Sequence, residues 1–239
     1  MTTSAKSTIK LASISYNDSS NLGDDIQTIA AIGAIKKLGY EFDGFVDRNN
    51  FTPTRPINIL LNGFFDSKEL HRFTDPLVRL IVSNIHIDRG QPLYSRKRLT
   101  IAPESLSGLR AFEPLGARDR STLALLQAAG FDAFFNYCLT LTLDRRDSSI
   151  KGDRIFIVDL DNMLPLPKHI STQKIEYVNQ DGAQNYPQEV KLAMAQSLLD
   201  RYRSQAKLVI TSKLHCALPC IAMGIPVIVF SDQHDERLH

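Results

Sequence analysis

Leu208-Val209-Ile210-Thr211-Ser212-Lys213-Leu214-His215-Cys216-Ala217-Leu218-Pro219, continued by Ala222-Met223-Gly224-Ile225 into Pro226-Val227-Ile228-Val229-Phe230, reads as strand, loop, helix and strand. Residues 208–211 are short, apolar and β-prone, and 226–230 form a second such run. Between them, 215–223 carry apolar residues at helical spacing, closed by Gly224. A strand returned to a strand through one helix is a βαβ unit, which builds a parallel sheet. Strands apolar on both faces suit a sheet covered on both sides. In such sheets ligands collect beyond the carboxyl ends of the strands, so the loop Thr211-Ser212-Lys213-Leu214-His215 is the first place to look for chemistry.

The same grammar extends outward from this unit. Residues 154–160 form a β-prone run, and 188–203 an amphipathic helix through Val190, Leu192, Ala195, Leu198, Leu199 and Tyr202. Toward the N-terminus, 9–16 read as a strand, and Leu22, Ile26, Ile29, Ala30 and Ile35 as a helix ended by Gly39. Further strands are expected at 57–61, 80–87, 99–102 and just before Ala117, with helices at 105–112 and 121–129. The charged, small-residue stretch Asp144-Arg145-Arg146-Asp147-Ser148-Ser149 has linker character. The expectation is an α/β protein of two Rossmann-like halves with parallel sheets and a cleft between them: residues 1–146 and a shorter 147–239.

The composition narrows the function classes. Hydrophobic residues at 43% and charged residues at 23% are ordinary for a globular protein, and a formal charge of +2 is too small to argue for nucleic acid. Cys138, Cys216 and Cys220 form no disulfide framework, and apolar neighbours around Cys216 and Cys220 favour buried thiols over a metal site. The polar start, Met1 to Lys10, lacks an apolar signal core, and no apolar run is long enough to span a bilayer. A cytoplasmic location is expected.

Three loops carry candidate chemistry. In the first, Thr211 or Ser212 is expected to cap a helix whose free N–H groups and dipole favour an anion. Lys213 adds charge, and His215 a group that exchanges protons near neutral pH. Pro219, about one turn in, threatens a kink. In the second, Gly116-Ala117-Arg118-Asp119-Arg120-Ser121, Arg118 and Arg120 point to opposite sides, so that one reaches the cleft and grips a carboxylate or phosphate. In the third, Asn21-Leu22-Gly23-Asp24-Asp25, two carboxylates in a helix's first turn suit the dipole and can also receive a hydroxyl proton. Asn62-Gly63-Phe64-Phe65 allows close backbone approach at Gly63 beside aromatics suited to a sugar. His86, inside an apolar strand, reads as a packed residue. Dinucleotide, phosphate-loop and nucleophile-elbow signatures are absent.

Several of these strings together resemble the polysaccharide pyruvyl transferase family. Residues 208–219 with 222–227 resemble its C-terminal signature, and Asn21-Leu22-Gly23-Asp24-Asp25 its N-terminal motif. Ala117-Arg118-Asp119-Arg120-Ser121, with Gly130 and Cys138-Leu139-Thr140-Leu141-Thr142-Leu143, resembles its central motif, and Asn62-Gly63-Phe64-Phe65 fits a bacterial branch. The resemblance implies a fold like that of two-domain GT-B glycosyltransferases, with an acceptor-side N-terminal domain and a donor-side C-terminal one. It implies transfer of a pyruvyl group from phosphoenolpyruvate to two sugar hydroxyls, giving a cyclic ketal in polysaccharide biosynthesis, with no cofactor or metal beyond the donor substrate. The acceptor would be a sugar or oligosaccharide, lipid-linked forms included, which would bring peripheral membrane association. Arg118, Lys213, His215 and the Leu214 backbone would bind the donor, with Ser212, Asn21, Gly23, Asn62 and Gly63 around the substrates. His215 would act as acid, and Asp24 or Asp25 would serve the acceptor. The family usually has Arg where Lys213 stands, and Lys lacks the bidentate fork. Two other activities fit the scaffold: a nucleotide-sugar glycosyltransferase, or a non-catalytic relative that binds.

Overall fold

Residues 11 to 15 are all buried, as a strand covered on both faces requires. A computed structural model, describing residues 9–88, 103–160 and 165–230, places this strand, β1 (Lys10–Ser15), inside a six-stranded parallel sheet. The other strands are β2 (Glu41–Asp47), β3 (Ile57–Phe65), β4 (Val78–Ile87), β5 (Leu115–Ala117) and β6 (Ala133–Phe135), in the order β2-β1-β3-β4-β5-β6. A second parallel sheet holds β7 (Arg154–Val158), β8 (Lys174–Val178), β9 (Ala206–Thr211) and β10 (Val227–Val229), in the order β10-β9-β7-β8. The connecting helices are α1 (Leu22–Lys37), α2 (Ser67–His71), α3 (Arg120–Ala128), α4 (Lys168–Ser171), α5 (Gln188–Gln205) and α6 (Leu214–Ala222).

The two Rossmann-like halves share one topology. Renumbered from its own first strand, each sheet begins 2-1-3-4, so the chain's winding reverses between β1 and β3 in one half and between β7 and β9 in the other. Ligands of open α/β sheets bind at this reversal, outside the carboxyl ends of the strands. The loops after β1, β3, β7 and β9 are therefore the loops to inspect.

Helix α1 joins the halves. Asn21 caps it by accepting the Gly23 N–H at 2.9 Å, Asp24 and Asp25 complement its N-terminus, and Lys36 and Lys37 its C-terminus. Gly39 then turns the chain at φ +81°. Its apolar residues are not confined to one stripe. Ala30, Ala31 and Ile35 pack with Leu11 and Leu60 of the first half, whereas Leu22 and Ile26 enter the core built by Phe156, Leu199 and Tyr202 of the second. A helix buried on opposite sides belongs inside a larger body.

Hydrogen bonds reinforce this. The Leu22 N–H donates to the Gln180 carbonyl at 2.9 Å, and the Ala183 N–H to the Ser20 carbonyl at 3.0 Å. The fully buried Lys191 ammonium of α5 donates to the carbonyls of Tyr16, Asn17 (3.3 Å) and Ser19 (3.2 Å), in the loop that enters α1.

Three strands, β2, β6 and β8, stand where the sequence reading expects none. β2 and β8 carry half-buried positions interrupted by Asp, Glu or Lys, as the edges of sheets do. The 105–112 segment is a 3-10 helix over Pro103–Phe112. The strand expected at 99–102 lies outside the described residues. Cys138, Cys216 and Cys220 are buried thiols, the last two within the core of the second half. No helix of the described residues is long and apolar enough to cross a membrane.

Candidate active site

Helix α6 starts at the carboxyl end of β9, but its cap differs from expectation. Lys213 occupies the N-cap with no side-chain cap bond. Thr211 Oγ1 accepts the Lys213 N–H at 3.0 Å, while Ser212 Oγ reaches across the reversal point to donate to the Asp159 carbonyl at 3.0 Å. The hydroxyls expected to cap α6 thus tie the loop together instead. Pro219 lies inside α6. It has no N–H to donate to the His215 carbonyl one turn earlier.

Lys213 Nζ is paired with Asp181 at 2.8 Å, both partly exposed. Asp181 belongs to the loop after β8, as does Gln180, whose side chain is fully buried with neither polar atom bonded to a described residue. Asp159, after β7, accepts the Gln180 N–H and is shifted upward by burial, against the opposing effects of that bond and of the Lys213 charge.

His215 is 7% exposed and meets the start of α1. A Cβ on Gly23 would stand 3.0 Å from the His215 Cβ and 2.9 Å from Asn21 Oδ1, so glycine relieves a tight approach here. Arg118, at the end of β5, comes to the same helix. Its Nη1 donates to Gln27 Oε1 at 2.8 Å. Residues 23 and 27 lie one turn apart on one face of α1, so His215 and Arg118 flank the same face from the two halves. Asp24 completes the rim, accepting from Ser19 Oγ at 2.6 Å and Gln27 Nε2 at 3.1 Å.

The Arg118 guanidinium is the outstanding electrostatic feature. It is 5% exposed, and among the described residues no carboxylate pairs with it and its buried Nε and Nη2 have no hydrogen-bond partner. Arginine cannot shed its proton inside a protein, and an unpaired buried charge is costly. The arrangement calls for an anion. Arg120 goes the other way and lies exposed over the Phe135 ring.

Asp25 does not share this rim. It is fully buried between α1 and α5, with Oδ1 accepting from Gln188 Nε2 at 2.8 Å. Burial pushes its carboxyl up to about 6, against the pull of the Lys191 charge.

On the other side of the site, the hydroxyl of buried Tyr16 donates to the Asn62 carbonyl at 3.2 Å. A Cβ on Gly63 would fall 1.9 Å from that hydroxyl, at φ +124°. The close approach that Gly63 permits is therefore to Tyr16. Phe65 is core, and Phe64 is half-buried against the His86 ring at 5.0 Å. His86 Nδ1 bonds Asp119 Oδ2 at 2.7 Å, and the Asp119 Oδ1 caps α3 by accepting the Thr122 N–H at 2.8 Å. Burial would raise the Asp119 carboxyl, but the hydrogen bond and charge of His86, with the Thr122 and Ser121 bonds, bring it down to about 2.

The C-terminal portion of this site lies within a region, residues 107–234, that matches the family model described as polysaccharide pyruvyl transferase. The chain belongs to the polysaccharide pyruvyl transferase family. Arg118, Lys213, Leu214 and His215 all fall inside the matched region. The fold is similar to that of a functionally uncharacterised protein from Klebsiella pneumoniae, with a TM-score of 0.58 and 10% identity over 97% of this chain and 86% of that one. A search of the curated proteins finds no match.

The site of this family member contains residues that the sequence did not single out. Gln27 looks like any helix residue, Gln180 and Asp181 follow an edge strand without an apolar signature, and the His86–Asp119 pair joins positions 33 residues apart. The signal available for that pair was the adjacency of Arg118 and Asp119.

Proposed function

We propose that the protein transfers the pyruvyl group of phosphoenolpyruvate to two hydroxyls of a sugar, forming a cyclic ketal and releasing phosphate. The observation that carries this reading is the buried Arg118 guanidinium, without a carboxylate partner among the described residues and facing α1 opposite His215. Phosphoenolpyruvate offers two anionic groups, a carboxylate and a phosphate, that would complete it. The start of α6 and Lys213 would hold the second group.

The residues supply the remaining chemistry. His215 protonates the methylene carbon of the enol, leaving the adjacent carbon electron-poor. One sugar hydroxyl bonds to that carbon and returns a proton to His215. The carbon–oxygen bond to phosphate then breaks, and the second hydroxyl closes the ring. A five- or six-membered ketal requires a 1,2- or 1,3-diol. Asp24, rather than the enclosed Asp25, is placed on the rim to orient that diol. Ser212, Asn21 and Gly23 shape the loops around the donor, while Asn62 and Gly63 support Tyr16 beneath them. Lys213 must leave Asp181 to reach the donor. The donor implies a cytoplasmic reaction, and a lipid-linked acceptor would bring the protein to a membrane surface.

The test is phosphate release from phosphoenolpyruvate across a panel of nucleotide-linked and lipid-linked diol sugars. His215→Ala is expected to lower turnover by about 10²–10⁴-fold while leaving the folded protein intact. Nucleotide release from a sugar nucleotide, with no phosphate from phosphoenolpyruvate, would replace the proposal with glycosyl transfer.

A further inference from the structure

The buried pair of His86 and Asp119 lies next to Arg118 but outside the chemistry described so far. Phe64 and His86 are paired across β3 and β4, and Ile85 and Ala117 across β4 and β5. The Arg118 N–H donates to the Ile85 carbonyl at 2.9 Å. His86 therefore stands at the carboxyl edge of the first sheet, in the strand beside Arg118. Its side chain is 9% exposed and that of Asp119 1%.

The hydrogen bonds decide the tautomer. Asp119 Oδ1 accepts the Thr122 N–H and the Ser121 hydroxyl, each at 2.8 Å, and Oδ2 faces His86 Nδ1 at 2.7 Å. A carboxylate accepts only, so Nδ1 carries a proton. In the neutral ring this leaves Nε2 as the lone-pair nitrogen, and no described residue hydrogen-bonds it. The Phe64 ring, at 5.0 Å, supports one side of the imidazole. A base held by a buried carboxylate, with its second ring nitrogen unbonded among the described residues, has the form of a general base.

We propose that His86 is a second catalytic residue of the transfer, the base for the ring-closing acceptor hydroxyl, and that Asp119 is its positioning residue. This rests on the pyruvyl-transfer reading. Ketal formation removes two hydroxyl protons and adds one proton to carbon. The first hydroxyl proton replaces the one that His215 gives to the methylene carbon. The second is taken by His86 Nε2 as that oxygen bonds to the central carbon, and passes to the phosphate beside Arg118. His86 returns to its neutral form, and the products are the ketal and hydrogen phosphate.

His86→Asn tests this, because an amide N–H can replace Nδ1–H toward Asp119 but supplies no base. With the acceptor that supports wild-type turnover, kcat should fall by about 10²–10⁴-fold. Thermal stabilisation by phosphoenolpyruvate alone should match wild type. In His86→Ala, added imidazole should restore part of kcat without changing KM for phosphoenolpyruvate. The proposal is overturned if His86→Asn keeps near wild-type kcat, if phosphoenolpyruvate binding is lost along with turnover, or if neither variant folds, since each result makes the pair structural. An inactive wild type would overturn the pyruvyl-transfer reading itself, and this assignment with it.

Discussion

Replacing Arg118 with Met should remove ligand binding without weakening the empty protein. The Arg118 guanidinium makes one bond, to Gln27, and has two buried nitrogens with no partner among the described residues. Unsatisfied buried donors cost about 1–3 kcal/mol each, and a hydrogen bond to a charged group contributes about 1.5–3 kcal/mol. Methionine fills much of the stem's volume and needs no partner. The ligand-free variant should therefore equal wild type or exceed it by up to about 3 kcal/mol in urea unfolding. Phosphoenolpyruvate tells the opposite story. At a hundred times its Kd it should stabilise wild type by about 2.7 kcal/mol, a rise in Tm of roughly 5–10 °C for a chain of this size. Arg118→Met should show almost none of this rise. A variant clearly less stable than wild type, yet still stabilised by phosphoenolpyruvate, would refute the reasoning. It would mean that Arg118 holds the fold rather than an anion.

Three other substitutions probe the same framework. Asp25 is held at about 6 against an ordinary value of 3.8; the folded state binds its proton more tightly, so this group's contribution to stability falls as pH rises from about 4 to 6, by roughly 3 kcal/mol in all. Asp25→Asn should thus be more stable than wild type at pH 8 by about 1–3 kcal/mol, with the advantage gone at pH 4; urea midpoints that rank the two proteins the other way at pH 8 would contradict this. Gly63→Ala should cost roughly 3 kcal/mol or more through positive-φ strain and the clash with Tyr16, read as a lower Tm that Tyr16→Phe partly restores; an unchanged Tm would disprove the close approach. Asp181→Asn releases Lys213 from a half-exposed ion pair worth about 1 kcal/mol at most, so calorimetry should show phosphoenolpyruvate binding up to about fivefold tighter; weaker binding would make Asp181 part of the donor site.

The sequence alone determined the class of fold, and it pointed to the loops where candidate chemistry lies. β7 from Ile155 on and the end of β9 from Val209 are buried on both faces, so each appears as a short apolar run, and the helices between them keep the helical period. Edge strands β2 and β8 were not legible, because half-solvated strands need no continuous apolar signal. The candidate residues Arg118, Lys213 and His215 were legible by residue type and by their place after strands. Their partners were not. Gln27 against Arg118, Asp181 against Lys213, Gly23 against His215 and His86 against Asp119 are contacts between segments 32 to 192 residues apart, set by strand order within each sheet and by how the two sheets close around α1. Even neighbours separated in this way: Asp24 joined the rim while Asp25 was enclosed against Gln188, because consecutive helix positions face about 100° apart. A strand or helix declares itself through its own periodicity. The fit of one element's side chain to another's depends on packing across the chain, and only the tertiary structure decides it.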